Sequence, residues 1–137
     1  MIATVEYANI LDHSEALSRM ILDSEDMHAY QEAKYALDHD KEAQQLIQAF
    51  IDIKEHYEDV QRFGRYHPDY NQIMKSVRST KREMDMNDKV AAFKIAERNI
   101  QKLLDEVSSF IALSVSEDIK AAPSFGALIS WLTLKAI

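Results

Sequence analysis

Two glycines and two prolines are the only backbone breakers in this chain of 137 residues, and they come in pairs: Gly64 with Pro68, and Pro123 with Gly126. Residues 1–63 and 69–122 contain neither. Sandwiches and barrels need a turn every ~8 to 12 residues, so a β-rich fold is nearly excluded and the fold class is all-α. At ~100 to 200 residues per domain, the chain builds one core. Hydrophobic residues at 47% and charged residues at 28% match an ordinary globular domain, with enough apolar material to escape disorder.

The apolar spacing divides the chain into about five helices. Ile10, Ala16, Leu17, Met20 and Ile21 recur at three- and four-residue steps, which predicts an amphipathic helix over 8–22. Ser24 is a good N-cap for a second helix over 25–37 that buries Met27, Tyr30, Ala33 and Leu37; Glu25 and Asp26 suit its positive end. Asp38 or Asp40 caps the third, whose stripe runs through Ala43, Leu46, Ile47, Phe50, Ile51, Tyr57 and Val60 to Gly64, with Lys54 interrupting it.

Glycine supplies the left-handed residue that ends a helix, and proline suits the first turn of the next, so Gly64–Pro68 reads as the corner of a helical hairpin. The fourth helix is expected over 68–84, with Tyr70, Ile73, Met74 and Val77 on one side. Asn87 can cap a long fifth helix with Val90, Phe93, Ala96, Ile100, Leu103, Leu104, Val107, Phe110, Ile111 and Ile119 as its seam. Thirty residues of helix span about 45 Å, more than the about 37 Å diameter of a compact sphere of this length. An elongated, oligomeric bundle associating through helices three to five is the expectation, because each large side chain on an uncovered seam gains about 1.5–3 kcal/mol on burial.

The chain carries little that points to catalysis. Carboxylate-bridged di-iron bundles need a Glu-x-x-His pair on each of two helices, and only Glu25 with His28 has that spacing. His56 with Asp52, Glu55 and Asp59 reads as a solvated face, and His13, His39 and His67 as helix-end or surface residues. There is no glycine-rich phosphate loop, nucleophile elbow or HExxH, and no histidine is followed by the lysine and glycine expected of a phosphotransfer site. The expectation is a chain that is not an enzyme, with no catalytic or metal site.

With 23 acidic and 16 basic residues the net charge is −7, which disfavours direct nucleic-acid binding. The absence of cysteine removes disulfides and thiolate ligands and fits a cytoplasmic protein. The N-terminus lacks the pattern of a secretory signal, and no apolar run is long enough for a membrane span. The exception to the charge balance is 61–82, where Arg62, Arg65, Lys75, Arg78, Lys81 and Arg82 face only Asp69, a net of +5 against −12 elsewhere. Lys75, Arg78 and Arg82 fall at helical spacing, with Tyr66 and Tyr70 near the start of this stripe. It can pair with acids of the third helix or stay solvated, meet an acidic protein, or meet RNA.

The segment QAFIDIKEHYEDVQRFGRYHPDYNQIM and the later KREMDMNDKVAAFKIAERNIQKLLDEVSSFIALSVSEDIK resemble the YlbF/YmcA family of small helical proteins from Gram-positive bacteria. The resemblance covers about residues 1–120. It is most specific at Glu58–Tyr70 and Met86–Lys94, both helix-boundary segments. It implies an adaptor in a complex with YmcA-like and YaaT-like proteins that assists the endoribonuclease RNase Y in transcript maturation, and so competence, sporulation and biofilm formation. Direct RNA binding and facilitation of phosphotransfer in the sporulation relay are the alternatives.

The family complex is similar to a four-iron, four-sulfur protein with cysteine ligands near the C-terminus. This chain has no cysteine, so it is expected to bind no cofactor by itself. The division expected is a helical domain over 1–122 and an apolar tail over 123–137 that is atypical of the family, either an altered end or a segment that docks on a partner. The residues expected to carry partner binding are Phe50, Tyr57, Phe93, Ile100, Leu104 and Val107 on the apolar faces, with Arg62, Tyr66, Tyr70, Lys75, Arg78, Lys81 and Arg82 as the aromatic and basic rim.

Overall fold

A computed structural model describes residues 4–118. Among them are five helices and no strand: α1 (Val5–Leu22), α2 (Glu25–Asp38), α3 (Lys41–Phe63), α4 (Tyr70–Met86) and α5 (Asp88–Val115), with a 3-10 turn at Gly64–Tyr66. Ile119 and the tail over 123–137 lie outside the described residues.

The helix starts follow from side chains that satisfy free amides of the first turn. Thr4 accepts from the Tyr7 amide at 3.2 Å, Ser24 from Met27 at 3.3 Å, and Asp40 from Ala43 at 2.9 Å. Asp40, rather than Asp38, is therefore the cap of α3. Gln44 donates from Nε2 to the Leu37 carbonyl at 2.9 Å, which also accepts from the Asp40 amide at 3.3 Å, so a side chain of α3 reinforces the end of α2.

The corner differs in detail from the expectation. Gly64 has φ 73° but ψ −167°, an extended positive-φ conformation that is essentially reserved for glycine, not the left-handed helical one. Pro68 does not open α4. The His67 amide bonds back to the Gly64 carbonyl at 3.1 Å and the Tyr70 amide to the His67 carbonyl at 3.1 Å, which delays the helix to Tyr70.

The helices pack as two pairs, α3 along α4 and α2 along α5, joined by smaller contacts of α4 with α5 and α2 with α3; α1 packs lightly on α2. Between the pairs lies one apolar cluster: Leu37 from α2, Ala43, Ile47 and Phe50 from α3, Met84 from α4, and Val90 and Phe93 from α5. Met84, which sequence reading left out, extends the series of Ile73 and Val77 at seven and four residues, so three turns of α4 face inward. Asn87 is at once the C-cap of α4 and the N-cap of α5. Its Oδ1 accepts from the Lys89 and Val90 amides at 2.9 and 3.2 Å, leaving a joint of a single residue between the two helices.

Candidate partner-binding surface

Along α5 the apolar seam changes from core to surface. Val90, Phe93, Ala96 and Ile100 are buried, Leu103, Leu104 and Val107 half-buried, and Phe110, Ile111 and Val115 exposed; Leu113, also exposed, lies on the other side of the helix. The two phenylalanines mark the ends of this gradient, with Phe93 at 5% and Phe110 at 73% exposure. At 1.5 Å per residue α5 is about 42 Å long, and its fully buried positions end at Ile100, near its middle. The helical repeat that buries Phe93 continues unchanged beyond that point.

On α1 the amphipathic pattern forms a helix as expected, yet none of its residues is buried. Leu17 and Ile21 are half-buried, while Val5, Ile10, Leu11, Met20 and Leu22 are exposed. These two apolar surfaces, the end of α5 and the face of α1, are left exposed by the described helices. Contiguous exposed apolar surface is the usual mark of a protein interface.

The structure sorts the residues expected to bind partners into three groups. Phe50, Phe93 and Ile100 are buried within the chain itself, Phe50 and Phe93 in the cluster that α2 to α5 share, although their periodicity is also that of an interface stripe. Tyr57, Tyr70, Leu104 and Val107 are half-buried. Arg62, Tyr66, Lys75, Arg78, Lys81 and Arg82 are exposed, with Tyr66 at 98% fully in solvent at the hairpin corner. Phe63 beside it and Met86 at the far end of α4, at 72% and 77%, are exposed apolar residues that the sequence reading passed over. The signal available for Met86 was its place on the α4 side away from Ile73.

The basic stripe lies on the solvent side of α4, and its pairing with acids of α3 is not formed. Ion pairs among the described residues include Glu15–Arg19, Lys54–Glu58, Asp59–Arg62, Lys102–Glu106 and Asp85–Lys94. None includes Arg65, Lys75, Arg78, Lys81 or Arg82. The interrupting Lys54 turns its ammonium to Glu58, one turn along its own helix, at 3.9 Å.

Near the core, Tyr30 packs against Phe93 with ring centroids 5.5 Å apart. Its phenol is pushed above the ordinary tyrosine range by burial first, then by the negative charges of Glu97 and Asp38. His28, with Glu25, and His56, with Asp52, Glu55 and Asp59, are exposed on α2 and α3. Among the described residues no three His, Asp or Glu side chains converge into a metal-holding group. The thiolates an iron–sulfur cluster requires do not occur in this sequence, so its residues do not fit the cluster the resemblance implies. No described helix is long and apolar enough to cross a membrane.

Comparison with known proteins agrees with the helical reading. A chain in the crystal structure of Bacillus subtilis RicA in complex with RicF superposes with a TM-score of 0.76 at 50% sequence identity, covering 82% of this chain and 98% of that one. The regulatory protein YlbF of Bacillus subtilis (strain 168) is 50% identical over 120 residues, which is 88% of this chain and 80% of that protein. The sequence pattern described as "Control of competence regulator ComK, YlbF/YmcA" matches residues 10–116, the span from the second turn of α1 to the end of α5. Matched over most of its length in pattern, sequence and fold, the chain belongs to the YlbF/YmcA family.

Proposed function

We propose that this chain is a regulatory adaptor, acting by assembly and not by catalysis, whose partner-binding surface is the apolar end of α5 together with the open face of α1. The observation that carries this reading is the seam of α5 continuing in register from the buried Phe93 to the exposed Ile111 and Val115, with Phe110 at its edge. Half-identity to a chain crystallised in a RicA–RicF complex supports a protein of the RicA kind as the occupant. Large apolar side chains at the centre of an interface contribute most of its energy, while charged rims select register and speed encounter.

The finer reading is a cytoplasmic complex with YmcA-like and YaaT-like proteins, assisting RNase Y in transcript maturation and so competence, sporulation and biofilm formation. It rests on family membership. In such a complex this chain contributes helix faces and no cluster ligand.

The test is co-migration of the purified chain with a RicA-like protein from the same organism in size-exclusion chromatography with light scattering. Wild type is expected to form a complex that Phe110→Glu with Ile111→Glu abolishes while helicity is retained. Separate elution of the wild-type proteins would refute the adaptor reading, and a double variant that binds as well as wild type would refute the surface. Direct RNA binding is the reading the bare cations of α4 would favour; it predicts affinity falling steeply with salt.

A further inference from the structure

Lys75, Arg78 and Arg82 on α4 have a mirror in charge on α3, where Asp52, Glu55 and Asp59 repeat the same spacing of three and then four residues. All six side chains are exposed. At 1.5 Å rise each row is about 10.5 Å long. At 100° per residue each lies on the side of its helix opposite Ala43, Ile47 and Phe50 on α3 and Ile73 and Met84 on α4; Val60, the other buried residue of α3, lies about 100° round from Asp59. The rows therefore point outward and do not meet within the molecule. Among the described residues the three cations have no ion-pair partner, Asp59 is 3.9 Å from Arg62 on its own helix, and Asp52 accepts from Gln48 at 2.8 Å.

We propose that the rows meet between molecules: the acidic row on α3 of one copy docks against the basic row on α4 of a second copy. Laid antiparallel, Asp59 stands opposite Lys75 and Asp52 opposite Arg82, with Glu55 offset from Arg78 by about 1.5 Å along the axis, within the reach of both side chains. Exposed apolar side chains flank the basic row: Phe63 and Tyr66 at the corner before α4, and Met86 at its far end. The contact joins unlike faces, so each copy offers α3 to one neighbour and α4 to another.

A nucleic-acid strand fits the stripe less well. The convex outer side of one helix has no groove to track a backbone, and the rest of the chain is strongly acidic. Exposed pairs are individually weak and screened by salt, so the association is concentration-dependent and salt-labile.

The experiment is light scattering of the full chain at about 50 mM and about 500 mM salt, with two charge-reversal variants, K75E/R78E/R82E and D52K/E55K/D59K. Wild type is expected above 15.8 kDa at low salt and at that single-chain mass at high salt. Each variant alone should remain a single chain, because like rows then face each other, and an equimolar mixture of the two should regain the larger mass. Circular dichroism checks that both variants keep wild-type helicity. A wild type that is one chain at both salts, variants that keep the wild-type mass, or a mixture that stays dissociated would each overturn the proposal. So would binding of an oligouridylate probe that the basic-row variant loses, in a wild type that does not self-associate.

Discussion

Lys94, in the second turn of α5, reaches back nine residues to pair with the carboxylate of Asp85 in the last turn of α4. The pair spans a joint whose only intervening residue is Asn87, so it sets how the α3–α4 hairpin meets α5. Both side chains are about 40% exposed, which places the pair among partly screened surface interactions. Lys94→Ala and Asp85→Ala should each cost less than about 1 kcal/mol, with a coupling energy of about 0.2–1 kcal/mol in a double-mutant cycle read by urea denaturation.

Asn87 stabilises the same joint more strongly, since its Oδ1 accepts from two amides. Asn87→Ala leaves both unpaired in the first turn of α5 and should destabilise by about 1 kcal/mol, within the usual range of about 0.5–2. Asn87→Asp should be close to neutral, because a carboxylate caps equally well.

Two phenylalanines on one helix should behave in opposite ways. Phe93→Ala empties a site packed against Tyr30 and should cost about 3–5 kcal/mol in unfolding free energy. Phe110→Ala touches little within the chain and should change stability by no more than about 0.5 kcal/mol, yet weaken partner binding at least tenfold. Equal effects on stability would mean that the end of α5 is covered within the monomer.

Gly64→Ala tests the corner. Nothing lies within 4 Å of a Cβ built there, so any cost is conformational and not steric crowding by neighbours. The φ of 73° with ψ of −167° is disfavoured for alanine, and the variant should lose about 1–3 kcal/mol.

Tyr30 predicts an alkaline limb. Its folded pKa lies above the unfolded value of 10.0, so the folded state holds the phenolic proton more tightly. That contribution is complete below pH 10.0 and is lost as pH rises through the folded pKa. Tyr30→Phe should flatten this part of the stability curve relative to wild type, measured by urea midpoints between neutral pH and about 11.

Helix boundaries were legible because their causes are local. Ser24 and Asn87 cap the helices they were expected to cap, Asp40 is one of the two residues expected to cap α3, and the positive φ of Gly64 ends α3 where a glycine interrupts sixty-three residues free of breakers. The start of α4 was misplaced by two residues because the 3-10 turn after Gly64 depends on carbonyls that no propensity reveals. The candidate surface was only half legible. Phe50, Phe93, Phe110 and Ile111 all obey the same helical repeat, and periodicity alone does not distinguish a residue facing a neighbouring helix from one facing solvent.

The sequence by itself determined the all-α class, the number and order of the helices, the caps of the second and fifth, the hairpin corner and the segregation of positive charge into one segment. Each follows from interactions within a few residues, or from composition. Tertiary structure decided which stretch of each apolar stripe becomes core. It pairs α2 with α5 and α3 with α4, so that Phe93 and Ile100 are covered while Phe110 and the face of α1 are not. It also decided that Lys75, Arg78 and Arg82 face away from the acids of α3. Both outcomes depend on the relative placement of helices distant in sequence, where burial is set by which surfaces run out of neighbours, and no local pattern encodes where that happens.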